Sequence, residues 1–465
     1  RREGSHRVIF WDGAIAGDNP LRHRMTLALS QIVVASEMVL VNDASRMAYY
    51  MNAIGDNAFG NYRDLLEDVT YSPAMSQYLT YLGNEKGNPD TGRMPDENYA
   101  REILQLFSIG IDELNMDGTQ RLRGDGTPIE TYTNEDIVGL ARVFTGLTFG
   151  PGADRYAVPL VMTESGHSDL EKTFLGRTIP AYTSGNESIR QALDIIFEHP
   201  NVAPFVSRQL IQRFTASNPE PAYVQRVATA FELGSFTAPD GTRYGSTGRG
   251  DLEATLAAIL LDESQHDDPL LIQDTTDVGK VREPILSFLH WARAFEVSPA
   301  DSSIEDLLVF GTQHPTRGLG QQAFAAPSVF NFYRPGFIPN GTEAGERGLT
   351  MPEMQLVDGA LRSGYVNFMT TYVMGDSIQR SGENENNFTP NYSSVVALVE
   401  DTDGMIDHLD ELLFYGRMSD TTRARMRQVN DNVAIRSGSA AADRKKRAEL
   451  AVLIAVTAPE FSVQQ

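Results

Sequence analysis

Apolar residues recur every three to four positions over most of this chain, and strict alternation never lasts, so the pattern predicts helices joined by irregular segments. From Pro20 to Leu40, Met25, Leu29, Ile32 and Val33 share one helical face. Shorter helices are expected at Asn61–Leu66 and Ser72–Leu82. Pro95 and Asp96 open another, which Gly110 can close in a left-handed conformation. Asp117-Gly118-Thr119 and Asp125-Gly126-Thr127 are turn formers, so residues 112–185 read as a β-hairpin excursion and irregular insertion. Thr133, with Asp136 three positions on, reads as a capping box that starts a second helix inside that span. Helical period resumes at Ser188–Glu198, Pro204–Phe214, Pro221–Phe231, Asp251–Leu261 and Arg282–Ala294. Residues 311–350, dense in Gly, Pro and aromatics, read as a long covering loop. Helices near 353–375, 392–415, 419–434 and 440–457 follow. The expected fold is mainly α: a large multi-helix body over residues 1–465, read as one domain, with a small hairpin excursion and long loops.

Composition narrows the partners. A hydrophobic content of 41% supports a sizeable core. The formal charge of −23, from 62 acidic against 39 basic residues, opposes nucleic-acid binding. Of the basic residues 34 are Arg and 5 are Lys, which suits two-pronged bonds to carboxylates between helices. The absence of cysteine removes disulfides, thiolate metal sites and cysteine nucleophiles. No apolar run approaches the roughly 20 residues of a membrane-spanning helix. The chain begins at Arg1 rather than Met, as it would after loss of a signal peptide or trimming to its ordered region.

Two stretches carry charge at packed helical positions: Glu97-Asn98-Tyr99-Ala100-Arg101-Glu102 with Ile103-Leu104-Gln105-Leu106-Phe107, and Tyr132-Thr133-Asn134-Glu135-Asp136 running on to Gly146. With Leu21-Arg22-His23-Arg24, His199-Pro200-Asn201, Arg282-Glu283-Pro284 and Phe330-Asn331-Phe332-Tyr333-Arg334-Pro335-Gly336, the chain resembles the bacterial family catalogued as domain of unknown function 1800. The resemblance runs over nearly the whole chain. It implies a bacterial, often exported protein, and it supplies no reaction, ligand, cofactor or catalytic residue. Gln105 stands where the resemblance leads one to expect a glutamate, so if that carboxylate did chemistry in relatives this chain would lack it.

Successive helical residues sit about 100° apart, which places Glu97 and Arg101 roughly 40° apart and Glu97 and Glu102 about 140° apart. The last separation argues against a glycosidase-type pair drawn from this helix alone. Glu97 or Glu102 with Asp136 stays open. The structural reading of the same residues is an ion-pair spine between helices, in which breaking a buried pair costs roughly 3–5 kcal/mol. His167-Ser168-Asp169 has an alternation that suits one metal, but no second histidine supports it, so no metal is assigned. His167 is also a candidate acid–base group, tuned by Asp169 or Lys172. Arg282 with Glu283, and Arg208 with Arg213, can clamp an anion or pair with the acidic excess. Tyr333 and Arg334 can stack a sugar, cover a cleft or fill a gap.

Other signals are missing or empty. There is no Gly-x-Ser-x-Gly elbow and no P-loop, and Gly318-Leu319-Gly320-Gln321-Gln322-Ala323 lacks the preceding strand that gives a dinucleotide fingerprint meaning. The working expectation is an exported, periplasmic or extracellular, hydrolase-like enzyme acting on an external polymer. Its catalytic candidates are Glu97, Arg101, Glu102, Asp136 and His167, with Lys172, Arg282, Glu283, Tyr333 and Arg334 in binding roles. The alternative is a non-catalytic binding or assembly protein of the cell envelope, with a polysaccharide or an envelope protein as partner, whose charges only brace helices. A concave pocket holding two of these groups favours the first; pairing and burial of all of them favours the second.

Overall fold

The computed structural model describes residues 5–40, 44–262, 279–299, 307, 309–375, 379–380, 383–384 and 388–464. The fold is mainly α, with only short two-stranded antiparallel ladders. The chain divides into two compact units built from non-contiguous segments. One comprises Arg1–His6, Leu21–Val278 and Phe324–Pro335; the other comprises Arg7–Pro20, Gly279–Ala323 and Gly336–Gln465.

In the first unit, local capping explains where helices begin. Asn61 accepts from the Arg63 amide ahead of Tyr62–Thr70, Ser72 from Met75 ahead of Pro73–Tyr78, and Asp251 from Ala254 ahead of Leu252–Leu260. Pro221 sits in the first turn of Pro221–Leu233, and Gly234 closes that helix at φ 63°. The turn-rich arm also forms as expected: Glu113 donates to the Ile129 carbonyl at 2.7 Å and Thr131 to the Ile111 carbonyl at 3.0 Å. Asp117 and Asp125 each accept from the amide two residues on, tightening both turns. Short hairpins pair Leu147–Thr148 with Val161–Met162 and Lys172–Phe174 with Arg177–Ile179.

The expected helix over 20–40 stops at Ser30. Its continuation is diverted by a tertiary partner: the Tyr50 hydroxyl receives the Ala35 amide at 3.1 Å and donates to the Val33 carbonyl. Helices Ser5–Ala16 and Ala44–Asp56 were not expected. The span near 392–415 is two helices, Ser393–Leu398 and Thr402–Phe414, divided where Asp401 caps the second.

The second unit packs an aromatic core in which Phe288 lies 5.7 Å from Trp11, 5.5 Å from Trp291 and 5.1 Å from Tyr372, centroid to centroid. Arginines join its C-terminal helices: Arg423 reaches Asp407 at 2.7 Å and Arg427 reaches Asp403 at 2.9 Å, linking Asp420–Asn432 to Thr402–Phe414. Lys280 and Glu353 form a fully buried pair at 3.0 Å. The first unit uses the same device, Arg63 joining Asp194 at 2.8 Å and Arg226 gripping Asp262 at 2.7 and 2.8 Å. The Arg-rich composition is spent, in large part, on holding helices together.

Candidate functional site

The two marker helices form at Asn98–Gln105 and Asn134–Ala141 and pack beside one another in the first unit. Tyr99, Glu102 and Ile103 stand at i, i+3 and i+4, so Glu102 lies within the apolar stripe that the helix buries. Tyr99 anchors that stripe: its ring is 4.3 Å from Tyr81 and 4.7 Å from Phe144, and its hydroxyl meets Thr70 Oγ1 at 2.7 Å. The helix ends ahead of Gly110, whose φ of 71° and close contact with the Phe205 ring leave no room for a Cβ. In the second helix Gly139 admits the Thr173 backbone, which would stand 1.8 Å from an added Cβ. That approach docks the helix on the Lys172–Phe174 strand.

Glu102 is the exceptional member. The residue is 9% exposed, and its Oε2 is buried without a hydrogen-bond partner. Burial raises its pKa, and the neighbouring Arg101 charge only partly opposes the shift. Tyr78 and Tyr132 lie within reach of its field. Burial and the Glu102 charge lift the Tyr78 hydroxyl to about 12, and burial raises Tyr132, with Arg101 opposing and Glu102 adding. Neither hydroxyl bonds a described residue. Glu102, Tyr78 and Tyr132, with the Arg101 charge beside them, therefore form a half-sheltered group in which the carboxyl and the two hydroxyls are suited to holding a proton or accepting a ligand donor. The tyrosines were not anticipated; no spacing in the sequence links position 78 to 102 or 132.

The other candidates are committed to their own chain. Arg101 Nη2 reaches Glu97 Oε2 at 3.4 Å across one helical turn, with both side chains about two-fifths exposed, 42% and 37%. Asp136 accepts from the Thr133 amide at 2.7 Å and hydroxyl at 2.8 Å, completing the capping box, while its other oxygen takes the Leu175 amide at 2.6 Å. His167 is buried, with Nδ1 2.9 Å from the Thr145 carbonyl and Nε2 3.1 Å from Ser188 Oγ. Burial lowers its pKa, with the Thr145 carbonyl opposing, so the ring is held neutral. Lys172 is sealed in the interior, donating to the carbonyls of Ser168 at 2.9 Å and Leu170 at 3.1 Å. Desolvation lowers its pKa too. Asp169 instead pairs with Lys86 at 2.6 Å. Among the described residues no group of three or more acidic or histidine side chains is arranged to hold a metal.

Tyr333, also in the first unit, donates to Gln31 Oε1 at 3.2 Å and is buried, whereas Arg334 is exposed with its guanidinium 6.0 Å from the Phe330 ring. Arg208 reaches the Gly118 carbonyl at 3.4 Å, and Arg213 donates to the Gln209 and Gln31 carbonyls at 2.9 Å. Arg282 and Glu283 belong to the second unit. Glu283 is fully buried and accepts from the Gln321 side chain, and Arg282 Nη1 donates to His290 Nδ1 at 2.8 Å.

A family model described as a protein of unknown function (DUF1800) matches residues 3–463 of the 465-residue chain. Comparison with curated proteins and with solved structures returns no match.

Proposed function

Taking as premise that the chain belongs to the DUF1800 family of proteins of unknown function, we propose that it is a non-catalytic binding or assembly protein of the cell envelope. One observation carries this reading: both ring nitrogens of His167 and both oxygens of Asp136 are engaged by the protein itself. Hydrolysis by acid–base chemistry requires at least two groups free to converge on one bond. Among the described catalytic candidates it is Glu102 that keeps a buried oxygen without a hydrogen-bond partner and a raised pKa. The buried Lys280–Glu353 pair and the inter-helix arginine bridges serve the fold.

Placement in the envelope draws on the often exported character that the family resemblance implies. Among the described residues no helix is long and apolar enough to cross a membrane. With a net charge of −23, nucleic acid is the wrong partner; a polysaccharide or an envelope protein fits better. The hydrolase reading survives in reduced form on Glu102, because a carboxyl with raised pKa suits a general acid.

The test offers purified protein and its Glu102→Gln variant to chromogenic glycosides, esters and native polysaccharides, and measures retention on isolated envelope fractions. No turnover above buffer and saturable retention are expected. Turnover that disappears in the variant without a change in melting temperature would overturn the reading, as would failure to be retained.

A further inference from the structure

Seven dipeptides in this chain place an aspartate or an asparagine directly before glycine. They share one reactivity. The glycine amide nitrogen can attack the side-chain carbonyl of the residue before it, because glycine has no Cβ to obstruct the approach and leaves the backbone free to bend. Whether a given pair reacts depends on how the fold holds the two groups.

Six of the seven are aspartates, and each carboxylate is engaged. Asp117, Asp125 and Asp240 accept the amide of the threonine two residues on, at 2.9, 3.0 and 2.8 Å. Bonds from those same threonines hold all three carboxyls below their ordinary range, in the ionised form that a nucleophile attacks poorly. Asp12 accepts the Leu307 amide, Asp358 accepts the Leu361 amide at 2.8 Å, and Asp403 pairs with Arg427 at 2.9 Å. The glycines that follow these three lie in helices, where the dihedrals are held near helical values.

Asn340 is the exception. It lies in the second unit, exposed, at the centre of a tight turn over residues 339–342. Thr342 Oγ1 closes that turn by donating to the Pro339 carbonyl at 2.8 Å. Gly341 has a φ of 73°, with open space where a Cβ would stand. Among the described residues neither the Asn340 carboxamide nor the Gly341 amide makes a hydrogen bond. The carboxamide is also uncharged, so no proton has to be gained before attack.

We propose that Asn340 is a site of spontaneous covalent modification, deamidation through a succinimide. The Gly341 nitrogen attacks Asn340 Cγ, a new N–C bond closes a five-membered ring, and the bond from Cγ to Nδ2 breaks. Nδ2 leaves as ammonia, taking up through water the proton that the Gly341 nitrogen gives up. Water then opens the ring at either carbonyl, yielding aspartate or isoaspartate. Isoaspartate adds one methylene to the backbone inside a turn that the Thr342–Pro339 bond closes. The same Thr342 hydroxyl caps the short helix Glu343–Glu346 by accepting the Gly345 amide at 3.1 Å, so modification loosens the chain where it enters that helix. This goes beyond the reading above and involves none of the residues of the Glu102 group.

The test ages the native full chain for several weeks at pH 7 and pH 8, then maps its peptides by mass spectrometry with enzymatic methylation of isoaspartate. Conversion at residue 340 is expected, faster at pH 8 because the attacking nitrogen must shed its proton, with the six Asp-Gly pairs unconverted. In guanidinium chloride those pairs should convert as well, since the bonds that hold them are gone. Gly341→Ala meets open space and should fold, and its methyl group should suppress conversion over the same period. An Asn340 that stays intact in the folded chain, Asp-Gly pairs that convert alongside it there, or wild-type conversion in Gly341→Ala would each overturn the proposal.

Discussion

Replacing Glu102 by glutamine should stabilise the protein at neutral pH. The wild-type carboxyl sits in an apolar stripe with one oxygen buried and unpartnered. An unsatisfied buried acceptor costs about 1–3 kcal/mol, and more when charged. Arg101 recovers part of that cost, but its side chain is 42% exposed and half engaged with Glu97, so solvent screens the recovery. The balance leaves about 1 kcal/mol to be gained when the charge is removed, or about 2 °C in melting temperature for a unit of this size. The pH dependence carries the sign. Because the folded pKa is raised, the protonated group is the compatible one. Its contribution is fully present below the unfolded glutamate value, about 4.3, and is lost as pH rises through the raised folded value. Denaturant melts of wild type, Glu102→Gln and Glu102→Met at pH 4 to 8 provide the assay. The glutamine variant should match wild type at the acid end and pull ahead as pH rises, and the methionine variant should do at least as well at pH 8. A glutamine variant less stable than wild type at pH 8, or a difference that does not change with pH, would refute the account of a desolvated, uncompensated carboxylate.

Three further outcomes follow from the same geometry. Asp136→Ala removes both the capping box and the acceptor of the Leu175 amide, so a loss of about 1–3 kcal/mol is expected in urea melts, with Asp136→Asn recovering part of it. Lys280→Met breaks the buried pair with Glu353 and should cost roughly 3–5 kcal/mol, while the double variant with Glu353→Leu regains most of it; a double variant as unstable as the single one would contradict this. Burial and the Arg282 charge hold His290 down to about 4, against a weaker opposing bond to the Leu412 carbonyl. Its neutral form stabilises the fold above the unfolded histidine value of about 6.5, and that stability drains away as pH falls from there toward 4. A His290→Asn variant should show a shallower acid-side decline between pH 6.5 and 4 in melting temperature.

The mainly helical character, most helix spans, the Asp-Gly-Thr turns and the Thr133–Asp136 capping box were all legible in the chain, because each depends on residues three or four positions apart. The family too was written there, in short segments whose order survives any folding. Glu102 could be singled out as a charged residue on a packed stripe, but its lack of a partner could not. That depends on which side chains other helices bring, and none among the described residues brings a donor to Oε2. The same holds for the early end of the helix over 20–40, imposed by the Tyr50 hydroxyl, for the second bond of Asp136, to the Leu175 amide, and for His167, whose free appearance in sequence gives way to bonds with Thr145 and Ser188. Lys280 finds Glu353 across seventy-three positions. Local propensity and capping act through the nearest turns of backbone and are therefore readable in order along the chain. Partnership between buried charges is settled only when distant segments pack, so the tertiary structure alone decided which ionic groups brace the fold and which remain available to a ligand.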